Sequence, residues 1–295
     1  MTGEVDPVPP ERGGPRDAWA RLTPYEVGVP GREFADRTFG AIREEAEGRG
    51  TNLRDPGAFI LLGEVGRALR EIQGEERGGE AIHRYGAFLF HAFHFHGAGE
   101  FLLLAETAAT RYLVEGSPVP ETWRGELPRE AGYLQLPRHL FWAKPEAGDE
   151  APAEPLDGIF WTKSVGNTLS LLVALGVRGD RPGLSVIELP PVPLADAPRW
   201  VSESARDEGE DFETTLPGGE LERLYSVATL GEALKLTGRA LGYLAITPEA
   251  LGEEERAPHP REAEEAGAQP LPSLLPFRRL RLVGGGAVES DREGA

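Results

Sequence analysis

Four of the six histidines fall within 14 positions: His83, His91, His94 and His96. Imidazole is a common ligand for zinc, iron, nickel and copper, and this cluster lies in an apolar setting that would exclude water. On a helix turning about 100° per residue, His83, His91 and His94 share an arc of roughly 80°, and His96 points elsewhere. Glu80 joins that arc, and Glu80-Ala-Ile-His83 has the E-x-x-H spacing of carboxylate-bridged di-metal bundles. At about 1.5 Å per residue, His83 and His94 stand about 16 Å apart, so one ion cannot take both. A metal site here would pair His91 with His94, or Glu80 with His83, and borrow ligands from other elements, with Glu64 and Glu100 as the nominated carboxylates. The metal would be a transition ion such as zinc or iron, although nothing in the sequence requires a cofactor. A second E-x-x-H is missing.

The competing explanation is structural. Phe88, Phe90, Phe93, Phe95 and Phe101 surround the histidines on nearly every helical face, the pattern of a central core helix. A neutral histidine in such a core satisfies its ring nitrogens with backbone or neighbouring side chains. The phenylalanines favour this reading. If the segment were a strand, His94 and His96 would share a face.

A second chemical feature is the basic patch of Arg278, Arg279 and Arg281, with Arg279 and Arg281 on one face of a strand. It suits a partner's acidic surface or a phosphate. The acidic stretch 247–272 nearby offers an internal charge contact instead. His139 beside Arg138 reads as a surface histidine. Tyr133, Phe141, Trp142, Phe160 and Trp161 would line a cavity or, more simply, fill the core of a small sheet. The P-loop, H-E-x-x-H and G-x-S-x-G motifs are absent. Gly97-Ala-Gly99 lacks the strand and third glycine of a dinucleotide loop, and 284–286 has no helix after it.

The elements that must hold these residues change character along the chain. Phe34, Phe39 and Ile42 mark a helix that breaks at Gly48 and Gly50. Asp55-Pro56 is a start signal for the next, whose apolar stripe runs through Phe59, Ile60, Val65, Leu69 and Ile72. A long helical pattern then covers about 80–115, with a break expected near Gly97 and Gly99. From 132 onward, short aromatic-rich runs at 132–136, 140–144 and 158–162 alternate with Pro and Gly. The segments 168–177 and 183–189 flank Arg-Gly-Asp-Arg-Pro as a hairpin. Leu221, Leu224, Tyr225, Ala228, Leu234 and Leu241 predict a long amphipathic helix over 220–241. The predicted fold is α+β: an N-terminal helical bundle followed by a mixed, strand-containing C-terminal half.

The expected organisation is a disordered leader over 1–30, a helical region over 31–125 and an α+β region over 132–246. An acidic disordered linker over 247–273, a late strand over 274–283 and a disordered tail over 284–295 complete it. The 18-residue apolar run 88–105 carries three histidines and Glu100, so it predicts a buried helix and no membrane partner. No secretory signal is visible, and the chain reads as cytoplasmic. With 31 basic against 49 acidic side chains, the net charge of −18 works against nucleic acid. There is no cysteine, which removes disulfides and thiolate chemistry. All but three of the basic residues are Arg, which together with abundant Ala, Gly and Pro points to a bacterial protein from a GC-rich genome.

Two functions follow. The first is a non-catalytic binding protein with a protein partner, because no catalytic motif is complete. The second is a metal-dependent enzyme, hydrolytic or oxidative, with its site at His91 and His94.

Overall fold

The computed structural model describes residues 23–73, 79–104, 107–115, 123–137, 140–143, 153–175, 185–196, 220–255 and 276–283. Helices α1 (Pro24–Gly28), α2 (Arg32–Arg49), α3 (Pro56–Ile60), α4 (Gly63–Gln73) and α5 (Gly79–Ala98) lead into strand β1 (Glu100–Leu103) and helix α6 (Thr107–Glu115). Strands β2 (Ala131–Gln135), β3 (Trp142–Ala143), β4 (Glu154–Ser164), β5 (Thr168–Leu175) and β6 (Ser185–Pro193) follow. Helix α7 (Glu220–Ile246) and strands β7 (Leu251–Glu255) and β8 (Phe277–Leu280) close the described chain. The class is α+β.

The strands form one mixed sheet in the order β6-β5-β4-β2-β1-β8-β7, with β3 paired to the outer end of β4. Strand β1 is parallel to both β2 and β8, and the remaining pairs are antiparallel. Alternation along each strand then separates two cores. Phe101, Leu103, Tyr133, Phe160, Leu172, Ala174 and Phe277 face α1 to α5. Leu102, Leu134, Ile159, Trp161, Leu171, Val173 and Leu280 face the opposite way, with the buried residues of α6 and α7. The result is three layers: helices, sheet, helices.

This arrangement alters the expected organisation in three places. The helices of 31–125 do not close a bundle of their own. Helix α5 lies between α2–α4 and the sheet, and the 31–125 region contains β1, in the interior of that sheet. The helical pattern stops at Ala98 because Gly99 turns the chain: a Cβ there would stand 2.6 Å from the Phe95 carbonyl oxygen. Phe88 to Phe93 are each no more than 4% exposed, so α5 is apolar all round for want of any solvent face.

The second change concerns 247–273. Its first part is ordered: Pro248–Ala250 forms a single 3₁₀ turn and β7 pairs with β8. The acidity that reads as disorder is the complement of the arginines opposite. Glu255 accepts from Arg279 at 3.1 Å and lies 3.7 Å from Arg281. The third change is in α7, whose apolar stripe widens between Leu230 and Leu244 to most of the circumference, leaving Glu232 and Arg239, seven residues apart on the expected polar face, partly exposed. Lys235 is only 8% exposed and keeps its charge partnered by Glu232 at 3.0 Å. Residues 1–22, 256–275 and 284–295 lie outside the described residues.

Other local signals act as their chemistry dictates. Strands β5 and β6 pair from Thr168–Pro193 to Leu175–Ser185. Asp55 accepts from the Gly57 and Ala58 amides at 3.0 and 3.2 Å, with Pro56 in the first turn of α3. The α4 amides of Gly63 and Glu64 are capped from outside the helix, by the Glu45 carboxylate of α2 at 2.9 and 2.8 Å. Among the described residues, no helix is long and apolar enough to cross a membrane.

Candidate functional site

The histidines diverge once the helix is placed. His91 is fully buried against the sheet, with Nδ1 2.9 Å from Thr162 Oγ1 on β4. Burial holds its pKa down at about 3, so the ring is neutral at pH 7. Ser170 is the β5 register partner of Thr162, and its buried hydroxyl has no hydrogen-bond partner among the described residues. His94, three residues on, faces the turn after α2, and its Nε2–H donates to the Leu53 carbonyl at 3.0 Å. Burial is again the main cause of a low pKa, about 4, with Arg54 and Arg43 adding to it. His96 is engaged at both nitrogens, by the Tyr25 hydroxyl at 2.7 Å and Asp36 at 3.1 Å. His83 is exposed, 3.8 Å from Glu188.

The nominated carboxylates do not join them. Glu64 accepts from Arg67 at 2.8 Å on its own helix. Glu100 lies between Arg129 at 3.3 Å and Arg278 at 3.2 Å. His91, His94, Glu64 and Glu100 are therefore held apart, and no three His, Asp or Glu side chains among the described residues are placed to hold a metal ion. The arginines of the basic patch face inward charges: Arg278 pairs with Glu100, and Arg279 and Arg281 with Glu255. The side chain of Glu80, and Arg138 and His139, lie outside what is described.

The structure brings together a different set. A cleft of about 620 Å³ opens between α2, α5 and residues 127–131 ahead of and at the start of β2. Arg43 and Glu47 enter from α2, Leu53 and Arg54 from the turn after it, and Phe93, His94 and Gly97 from α5. Leu127, Pro128, Arg129, Glu130 and Ala131 form the facing wall. The volume lies within the usual range for small-molecule sites, and the lining is more charged than is usual, with Arg43, Glu47, Arg54, His94, Arg129 and Glu130 beside an apolar wall.

Its arginines are held differently. Arg54 donates to the Lys163 carbonyl at 2.8 Å and to the Glu130 carboxylate, and the Val165 amide donates to its carbonyl at 3.1 Å. This one residue ties the α2–α3 turn to the end of β4. Arg129 pairs with Glu100, and its carbonyl accepts from the Trp161 indole at 3.2 Å. Arg43 has no carboxylate partner among the described residues; its guanidinium lies over the Phe93 ring, 5.1 Å from the centroid. Gly97 leaves room for it, since a Cβ there would come within 3.2 Å of the guanidinium. Glu47, one turn along α2 from Arg43, also forms no ion pair among the described residues.

His94 completes the set of polar groups. Its Nε2 carries the proton, because the partner is a carbonyl, so Nδ1 is an acceptor. The cleft thus brings together guanidinium donors, a neutral imidazole, carboxylate acceptors and an apolar wall. Sequence reasoning found His94 for another purpose and missed Arg43, Glu47, Arg54 and Arg129. These residues come from three separate segments with no shared spacing, so no motif could have announced them.

A buried polar group sits deeper, under α1. Asp157, the extra residue of a bulge in β4, accepts from the Tyr133 hydroxyl and from Gln135 Nε2 at 3.3 Å. Burial, followed by the charge of Asp157, raises the pKa of Glu26 on α1. Compared with known proteins, the chain matches no family model, no curated protein and no solved structure.

Proposed function

We propose that this protein works by binding, and that the cleft between α2, α5 and the start of β2 takes a small organic anion. The observation that carries the reading is Arg43: a guanidinium without a carboxylate partner among the described residues, laid on the Phe93 ring at the edge of a cleft. Arg54 and Arg129 stand beside it, each paired with a glutamate and oriented by contacts made before any ligand arrives. In a chain of net charge −18, a lining that sets three arginines against Glu47 and Glu130 runs against the average. A guanidinium fork suits carboxylate or phosphate oxygens geometrically as well as by charge. The alternative of a metal-dependent enzyme draws no support from a converging ligand set among the described residues.

The test is calorimetric titration and thermal shift of the full chain with benzoate and with inorganic phosphate, at low salt. Binding of either, weakened about tenfold or more by Arg43→Ala and by added salt, is the expected result. Affinity that is absent for both anions, or that is indifferent to Arg43→Ala, would overturn the proposal. Arg43 is exposed on α2, so the variant keeps the fold, which circular dichroism checks.

A further inference from the structure

Resting on that anion-binding reading, we infer that the ligand is zwitterionic: a free amino acid with an apolar side chain, its carboxylate on Arg43 and its ammonium on Glu47. Arg43 and Glu47 stand at positions i and i+4 of α2, the spacing at which opposite charges usually meet. Here they do not pair with each other. Arg43 lies over Phe93 instead, and both side chains line the same cleft. A cation and an anion without ion-pair partners among the described residues, about one helical turn apart, form a dipolar surface. Its complement is a molecule carrying both charges on substituents of one carbon atom.

The rest of the lining agrees. Arg54 and Glu130 already neutralise one another, and Arg129 is matched by Glu100. The charge left over is the Arg43–Glu47 pair, whose sum is zero. A phosphate dianion or a dicarboxylate would meet Glu47 and Glu130 as well as the arginines, and like charges in one cleft repel. Leu53, Phe93, Leu127 and Pro128 provide the apolar surface on which a hydrocarbon or aromatic side chain would lie.

The experiment titrates the full chain with L-phenylalanine, with 3-phenylpropionate, which lacks the ammonium, with 2-phenylethylammonium, which lacks the carboxylate, and with inorganic phosphate. L-Leucine against 4-methylpentanoate repeats the comparison for an aliphatic side chain. The inference expects an amino acid to bind, each truncated analogue to be weaker by roughly ten- to hundredfold, and phosphate to be weaker still. Glu47→Gln should bring the amino acid down to the level of its deaminated analogue and leave that analogue unweakened. Arg43→Ala should weaken both. If the deaminated acid or phosphate binds as tightly as the amino acid, still dependent on Arg43, the zwitterion inference fails and the anion-binding reading stands. If no carboxylate and no phosphate binds, both fail together.

Discussion

The two buried histidines make the fold sensitive to mild acid, and His91 allows that sensitivity to be measured one group at a time. In the folded chain burial holds its pKa at about 3, against an ordinary value of 6.5. Above pH 6.5 both folded and unfolded chains carry a neutral ring, so the group contributes nothing to pH dependence. Below it the unfolded chain takes up a proton that the folded chain refuses, and stability falls by about 1.4 kcal/mol per pH unit. Between pH 7.5 and 5.5 this amounts to about 1.4 kcal/mol for His91, with a similar share from His94. The perturbation is the double variant His91→Leu with Thr162→Val, which removes both ends of the 2.9 Å hydrogen bond and strands neither. Urea unfolding at the two pH values gives four stabilities. The wild type should lose about 1.4 kcal/mol more than the variant on acidification, and the two should lie within about 1.5 kcal/mol at pH 7.5. Contributions from His94, His96 and Glu26 occur in both proteins and cancel. Equal acid losses would refute the reasoning, because His91 would then be taking its proton inside the fold. A drop of several kcal/mol at pH 7.5 that prior chelation abolishes would return His91 to the role of metal ligand.

Two further outcomes test how the elements around the cleft are held. Gly132 faces the fully buried Trp161 ring, and a Cβ there would also stand 2.6 Å from the Glu100 carbonyl; Gly132→Ala should cost about 1–3 kcal/mol in urea unfolding. Glu45→Ala removes the outside cap of α4 and should cost about 1 kcal/mol. Since the Glu64 amide, among other contacts, holds the Glu45 pKa below the carboxylate range, its contribution is present above that range. It should fade as pH falls through the folded pKa, so wild type and variant converge in acid.

Much of the local structure was legible before any coordinate. Asp55-Pro56 opens α3 because a cap and a pre-set φ act over three residues. The hairpin of β5 and β6 was visible as two apolar runs about a polar turn, although the turn itself lies outside the described residues. Other features could be read in two ways. The run of phenylalanines around His91 and His94 marked α5 as central, but helical phase alone could not separate the side facing β4 from the side facing the cleft. The acidic stretch beyond 247 looked incapable of burial, and its first part is ordered because β8 brings arginines to it.

Composition and periodicity by themselves determined that this chain would be α+β, that the phenylalanine-rich middle of α5 would be buried and that no thiol chemistry was available. Those are properties of single segments and of residue counts, which neighbours in sequence suffice to set. The insertion of β1 between β2 and β8 was decided only by the tertiary structure, because strand pairing joins residues far apart in the chain. The same holds for the cleft. Arg43, Arg54, Phe93, His94 and Arg129 become a site when α2, α5 and the approach to β2 pack together. Their meaning lies in distances that no spacing along the sequence encodes.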